Sequence, residues 1–260
     1  MHIVNSFECG KRVNGTFQIY VKVVVLHNGQ YHVGKWNDRK QLPHDFSQLE
    51  DVQTIRTENR SPKLRPHWTT ATPVDDIWLK TPSIDEWLDN DHETRMAHEI
   101  EMCELIRQNQ HPNLAVYCGC SESNGLATGL LFKKYKTTLL EQVNPQRLSK
   151  KDFIARGRPL VRQDMKAWFP MLRAAVQHLH SLGLVHNDIT PANIMLDEND
   201  IPIIIDFGGL CRLGDSLRNT KRTMGWHDEA VTHATASSDT FALTEIEAWL
   251  FGSLQDLKFI

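Results

Sequence analysis

Along the first half of the chain, apolar residues fall in short runs rich in β-branched and aromatic side chains; further on they recur every three or four positions. Residues 16–36 read as a hairpin: the run 17–26 is β-forming, His27, Asn28 and Gly29 supply a turn, and 31–36 returns. Residues 37–73 are polar and carry Pro43, Pro62, Pro66 and Pro73, which predicts loop with one short strand near 52–56. A short strand over Ile77, Trp78 and Leu79 ends at Lys80. Met96, Ile100, Cys103 and Ile106 then share one face of a helix over 92–108, stopped by His111, Pro112 and Asn113. Strands at 114–118 and 126–132 flank a turn at Asn124 and Gly125. A helix over 164–182 puts Trp168, Leu172, Ala175, Val176 and Leu179 on one side and is capped by Gly183, while Pro170 kinks it or delays its start. The last helix, near 238–254, has Phe241, Ile246, Trp249 and Leu250 as its apolar set. Strands with one helix, followed by mostly helices, define an α+β fold with a break near 133–137, and hence segments 1–136 and 137–260.

Bulk properties exclude more than they assign. At 260 residues, 40% hydrophobic and 23% charged, the chain can bury one large core or two lobes. A formal net charge of -3 gives no general reason to expect nucleic acid or an anionic membrane as partner. The five cysteines (Cys9, Cys103, Cys118, Cys120 and Cys211) are odd in number and lack metal-ligand spacing, so they read as reduced thiols. Residues 1–11 hold no apolar stretch of secretory type, and the run 23–26 is far too short to span a bilayer. Cytosol or nucleus is the expected location, without a membrane or nucleic-acid role.

One segment carries chemistry. Between His186 and Gly208, two apolar runs, 194–196 and 203–205, flank a polar turn at 197–200, a hairpin pattern. Centred near Asn199 and Asp200, that hairpin sets Asn193 opposite Asp206, with Cα atoms about 5 Å apart. An amide oxygen and a carboxylate so placed are hard ligands suited to Mg²⁺ carrying nucleotide phosphates. Asp188, on the loop entering the hairpin, can accept a proton from a hydroxyl aligned with the terminal phosphate.

His186, Asp188 and Asn193 followed by Asp206, Phe207 and Gly208 resemble the catalytic loop and DFG motif of the eukaryotic protein kinase superfamily. The pattern is most similar to divergent small protein kinases of filamentous fungi, over about residues 77–250. The resemblance implies a two-lobed fold, with an antiparallel-sheet N-lobe and a mainly helical, C-terminally shortened C-lobe. It also implies ATP and Mg²⁺, a protein substrate, and catalytic roles for Asp188, Lys80, Asn193 and Asp206, with the metal on Asn193 and Asp206. Lys80 takes the place of the strand lysine that holds the ATP phosphates. Glu99, within the apolar stripe, is favoured over Glu101 as its partner, since Glu101 points nearly opposite. Residues 130–137 resemble the hinge, so Leu131, Lys133 and Tyr135 mark the expected adenine contacts through the backbone. Cys103, Tyr117, His186 and Phe207 are candidates for a hydrophobic column, although ordinary core packing accounts for them equally well. Thr223, Met224, Gly225 and Trp226, with Glu229, resemble the end of an activation segment. Asp239 resembles the aspartate that holds the catalytic loop from below, or is simply a charge at a helix start.

Four departures shape the functional expectation. Gly10, Gly15, Gly29 and Gly34 do not have Gly-x-Gly-x-x-Gly spacing, so the phosphate-covering hairpin is altered or replaced. Asn187 stands where many kinases have a phosphate-receiving arginine, which predicts control without activation-loop phosphorylation. Thr190 stands where a lysine usually meets the terminal phosphate, which removes one transition-state cation. The chain ends about twenty residues after Asp239, so Glu229 has no evident arginine partner, and Trp249, Leu250, Phe251 and Leu257 are expected to need cover from the N-terminal segment, another partner or a second copy. The reading is a Ser/Thr protein kinase; a pseudokinase scaffold and a kinase-fold phosphotransferase acting on a small molecule are the alternatives.

Overall fold

The computed structural model describes residues 1–13, 16–56, 60–83, 86–88, 91–218 and 220–259, with side chains described everywhere in these ranges except 10–18. Gly15, one of the glycines weighed above, lies outside the described residues. The chain divides into two compact units, Met1–Lys63 with Thr81–Thr94, and Leu64–Lys80 with Arg95–Ile260. The boundary expected at 136/137 falls inside the second unit.

The first unit is an antiparallel four-stranded sheet of β1 (His2–Val13), β2 (Thr16–His27), β3 (Gln30–Trp36) and β4 (Glu50–Thr54), in that order. Asn28 and Gly29, both at positive φ, make the expected tight turn between β2 and β3. Val23, Val24 and Val25 are all fully buried because both faces of β2 are covered. Val21, Val23 and Val25 pack with Leu49 on one face, and Val24 with Val33 and Ile55 on the other. The short strand expected near 52–56 is β4, two residues earlier. β1 was not foreseen: it pairs with β2 along nearly its whole length and is one edge of the sheet.

In the second unit, β5 (Ile77–Lys80), β6 (Tyr117–Ser123) and β7 (Leu126–Lys133) form an antiparallel sheet in the order β5-β7-β6. Helix α1 (His92–Gln108), which belongs to this unit from Arg95 onward, has the expected bounds, and its stripe Met96, Ile100, Cys103 and Ile106 is buried. β6 begins three residues later than expected, since Leu114 makes an isolated parallel bridge to Ile204 instead of joining the sheet. The chain then passes β8 (Thr137–Thr138), α2 (Leu139–Val143), α3 (Lys150–Ala155) and α4 (Trp168–Ser181). Pro170 delays α4, as one of the two expectations had it: residues 163–167 wind as a 3-10 turn, and the proline sits in the first turn of α4, where no helical N–H is required of it. Four short strands follow, β9 (Leu184–Val185), β10 (Ile194–Leu196), β11 (Pro202–Ile204) and β12 (Cys211–Arg212), and then α5 (Ala236–Phe251). This is the α+β order expected, with a small sheet and helix ahead of a mainly helical part. Among the described residues no helix is long and apolar enough to cross a membrane.

The last helix differs from expectation in two respects. It ends at Phe251 because Gly252 adopts an extended backbone, and Leu254 falls in a separate 3-10 turn. Phe241, placed in the apolar set, is 44% exposed, whereas Ile246, Trp249 and Leu250 are fully buried. The face expected to need outside cover is filled from within the unit. Phe153 of α3 stacks on Trp249 at 4.3 Å and Trp226 meets it edge-on at 5.5 Å, while Leu257 joins the same core. Phe153→Ala is therefore expected to cost about 3–5 kcal/mol of stability, and Phe241→Ala under about 1 kcal/mol. Urea unfolding of the two variants checks this, and equal losses would contradict it.

Candidate active site

Lys80 ends β5 with its ammonium directed between two carboxylates. Nζ lies 2.6 Å from Glu99 Oε1 on α1 and 2.6 Å from Asp206 Oδ1 after β11. Burial alone would pull the lysine pKa down, but Glu99 and Asp206 more than reverse this and hold it well above its usual range. For Asp206 burial acts upward and Lys80 reverses it, leaving the carboxyl below its ordinary value. The choice of Glu99 over Glu101 stands in the geometry. Glu101 faces the other way and accepts bonds from Arg65 Nη1 at 2.5 Å, His67 Nε2 at 3.0 Å and Trp68 Nε1 at 2.9 Å. Glu104, buried, takes the backbone N–H of Thr69 at 2.6 Å.

These bonds belong to an element that the sequence reading missed. Residues 64–71 were assigned to loop; instead they form a strap along α1 and β6. Cys120 N donates to Thr69 O at 2.8 Å, and Ala71 N donates to Cys120 O at 3.0 Å. Gly119 is required beneath it, since a Cβ there would come within 2.8 Å of Thr69 O. The signal lay in Glu101 and Glu104, two carboxylates off the apolar stripe that need donors, and in the cluster Arg65, His67 and Trp68.

The catalytic-loop residues are brought together, with one correction. Asn193 was expected opposite Asp206; the observed register pairs Ile194 with Ile204, and Ile205 N donates to Asn193 O at 3.0 Å. The cause is Asp197, whose Oδ1 accepts from Asn199 N at 2.9 Å and Ile201 N at 2.8 Å, centring the loop on Asn199 and shifting every partner by one. Asp206 lies one residue beyond the pair and takes a left-handed backbone, φ 63°, which turns its carboxylate to Lys80. Asp188 is held at both oxygens, Oδ1 by Thr223 N at 2.8 Å and Oδ2 by Asn193 Nδ2 at 3.0 Å. With its nitrogen so used, Asn193 has its amide oxygen to offer a cation. That oxygen and the Asp206 carboxylate make a donor set that fits Mg²⁺. Thr190 is turned inward, its hydroxyl accepting from Asn193 N at 3.2 Å.

Beneath the loop, buried Asp239 accepts from His186 N and Asn187 N, each at 2.8 Å, and from His180 Nε2 at 2.9 Å. Asn187, also left-handed at φ 64°, donates its side-chain amide to Val185 O, Gly209 O and Cys211 Sγ at 2.9, 3.0 and 3.1 Å. It ties the catalytic loop to the start of the activation segment, a role unforeseen for it. Tyr117, Phe132, Phe207 and His186 form a chain of rings with centroids 5.5, 6.2 and 6.1 Å apart. Phe132 is the member missing from the expected column.

The hinge region is less open than expected. Leu131 is fully buried between β5 and β6, Lys133 N donates to Val116 O at 3.0 Å and Lys134 N to Asp76 O at 3.0 Å. The hydroxyl of Tyr135 accepts from Val116 N at 3.0 Å. These backbone N–H groups are thus already bonded, and adenine recognition through them requires their release.

The ion triad has a signed pH dependence. The depressed Asp206 pKa contributes stability that is present above the unfolded carboxyl pKa, about 3.9, and lost as pH falls through the lower folded value. The raised Lys80 pKa contributes below about 10.4 and is lost at higher pH. Lys80→Met should therefore melt below wild type at pH 7 and converge with it as pH drops below about 4. A gap that widens in acid would refute this, and calorimetry across pH reads it.

Comparison with known proteins identifies the family. The family model of the protein kinase domain matches residues 79–246, well over half of the chain. A DNA damage-responsive serine/threonine-protein kinase, RqkA, of Deinococcus radiodurans is 45% identical over 49 residues, covering 19% of this chain and 7% of that protein. The serine/threonine-protein kinase ppk6 of Schizosaccharomyces pombe is 26% identical over 143 residues, 53% of this chain and 17% of its own. The serine/threonine-protein kinase SKS1 of Saccharomyces cerevisiae is 31% identical over 114 residues, 44% of this chain and 21% of its own. No more than 21% of any of these three relatives is therefore spanned. The matched span contains Lys80, Glu99, Asp188, Asn193 and Asp206, and the chain belongs to the protein kinase domain family.

Proposed function

We propose that the chain is an ATP- and Mg²⁺-dependent protein kinase that passes the γ-phosphoryl group to a serine or threonine hydroxyl of a protein. The observation that carries this reading is the Lys80 ammonium, charged and fixed between Glu99 and Asp206. In this assignment Lys80 binds the α- and β-phosphates and Glu99 keeps it aimed. Asp188, oriented by Thr223 N and Asn193, accepts the proton of the incoming hydroxyl as its oxygen bonds to the γ-phosphorus. The bond to the β–γ bridging oxygen breaks and ADP leaves. Mg²⁺ on Asn193 and Asp206 would neutralise phosphate charge. Preference for serine or threonine rests on the relatives' names and on Thr223. Five free thiols fit a reducing compartment, cytosol or nucleus.

A second reading, a catalytically weak nucleotide-binding scaffold, is favoured by the bonded hinge amides of Lys133 and Lys134. Incubation of purified protein with casein and γ-labelled Mg-ATP separates the two. Wild type should label casein, and Asp188→Ala and Lys80→Met should lower the rate by about 10²- to 10⁴-fold. Thermal stabilisation by Mg-ATP with no transfer would favour the scaffold, and absence of both would sink the enzyme assignment.

A further inference from the structure

Lys150 stands at the start of α3, in a polar stretch where a lysine would ordinarily be solvated. Its side chain is instead buried, and that of Glu245 on α5 more so, at 12% and 1% exposure. Lys150 Nζ lies 2.5 Å from Glu245 Oε1, donates to Gly225 O at 2.5 Å and to Phe259 O at 2.8 Å, and sits 4.0 Å above the Trp226 ring. Glu245 in turn accepts from Lys258 N at 2.8 Å and Phe259 N at 3.2 Å. One ion pair thus gathers α3, α5, residues 258–259 and the end of the activation segment. Two residues before Gly225, Thr223 N is bonded to Asp188 at 2.8 Å. The short bridge 223–226 is therefore anchored at one end to the proton-accepting carboxylate and at the other to a buried cation. Between the anchors Met224 stands 80% exposed, facing outward beside the site. Glu229, which resembles the segment's terminal glutamate but was expected to lack its arginine partner, is exposed.

We infer that Lys150 and Glu245 are positioning residues for the protein acceptor: they hold residues 223–226 as a fixed shelf against Asp188, on which the acceptor chain lies. The inference rests on the protein kinase reading above. A buried amine with a carboxylate, two carbonyls and an aromatic face has every donor matched, so its geometry is stiff. Removing the cation leaves the Gly225 carbonyl and the Glu245 carboxylate without it and frees the shelf, while the Lys80 triad stays intact. Lys150→Arg keeps a charge, and Glu245→Gln removes the carboxylate charge while keeping one acceptor oxygen for a backbone N–H, so both test the link with little change in volume.

The experiment pairs steady-state kinetics on casein and Mg-ATP with brief trypsin treatment well below the melting temperature. Lys150→Met is expected to raise KM for casein about tenfold while KM for ATP is unchanged. It should also speed cleavage after Lys221 or Arg222 by about tenfold, mapped by mass spectrometry. Lys150→Arg should recover much of both, and Glu245→Gln should shift them in the same direction as Lys150→Met. An unchanged casein KM overturns the inference, as does an ATP KM that rises in step or cleavage spread over the whole chain. If wild type transfers nothing to casein, the kinase reading itself fails and the acceptor role with it, a failure seen in wild type and not in the variants.

Discussion

The site depends on one lysine being charged in a place where burial disfavours charge. Lys80 is held up by two carboxylates from parts of the chain far apart in sequence, Glu99 on α1 and Asp206 after β11. Neither alone fixes the ammonium; together they triangulate β5, α1 and the segment that opens the activation loop. Breaking such a pair by removing one partner is far more costly than its net contribution to stability, because the remaining buried charge is uncompensated. The rest of the unit is arranged to keep the three groups within bonding distance. Glu101 and Glu104 tie the outer side of α1 to the strap 64–71, and His98 donates to Leu210 O at 2.8 Å. The apolar stripe of α1 supplies cohesion, and these polar bonds set its axial position.

Below the triad the same logic recurs. Asp239 collects two backbone N–H groups and a histidine where the catalytic loop turns, and so fixes His186 and Asn187 before the chain reaches Asp188. Asn187 then spends its amide on Gly209 and Cys211. An arginine in its place would hold a mobile charge waiting for a phosphate; an amide bonded to a backbone carbonyl waits for nothing. The left-handed backbones of Asn187 and Asp206 cost of order 1–3 kcal/mol each, and both residues direct their polar groups into these tethers. Strain here is tied to aim.

How much of this could be read from residue order follows from what kind of force sets each feature. Where apolar periodicity dominates, the reading was good: α1 has its expected bounds and β2, β3, β5 and β7 lie close to their expected positions. Where a polar side chain decides, it slipped. Asp197 adds a residue to a turn and moves Asn193 off Asp206 by one place. The strap has neither period two nor period 3.6, because its partners are single carboxylates on a helix far along the chain. Phe241 fits a helical stripe on paper, yet α5 buries Asp239 and Glu245 on its inner side, so the buried arc is not the purely apolar one. β1 carries little apolar signal because residues 2–9, on a strand at the sheet edge, are exposed or half-buried, and pairing with β2 is what forms it. Asp188 and Asn193 lie together as their spacing implied, since a hairpin and a loop bring near neighbours together. The Lys80 contact with Asp206 spans 126 residues and was not foreseen, whereas the pairing of Lys80 with Glu99 came through resemblance.

Of the four carboxylates buried among the described residues, Glu99, Asp239 and Glu245 mark three levels of the second unit, and each accepts from a segment distant in sequence. Hydrophobic packing is non-directional and tolerates small sliding of one element over another. A buried carboxylate with two or three matched donors does not, since a shift of an ångström leaves a charge unpaired. Replacing such groups by apolar ones of similar shape is often neutral for stability. Their presence is therefore better explained by the positions they enforce than by the free energy they add. In this chain those positions are Lys80 between its two carboxylates, the turn that leads to Asp188, and the segment 223–226 beside it. The core determines that the unit folds, and the buried charges determine that its site is in register.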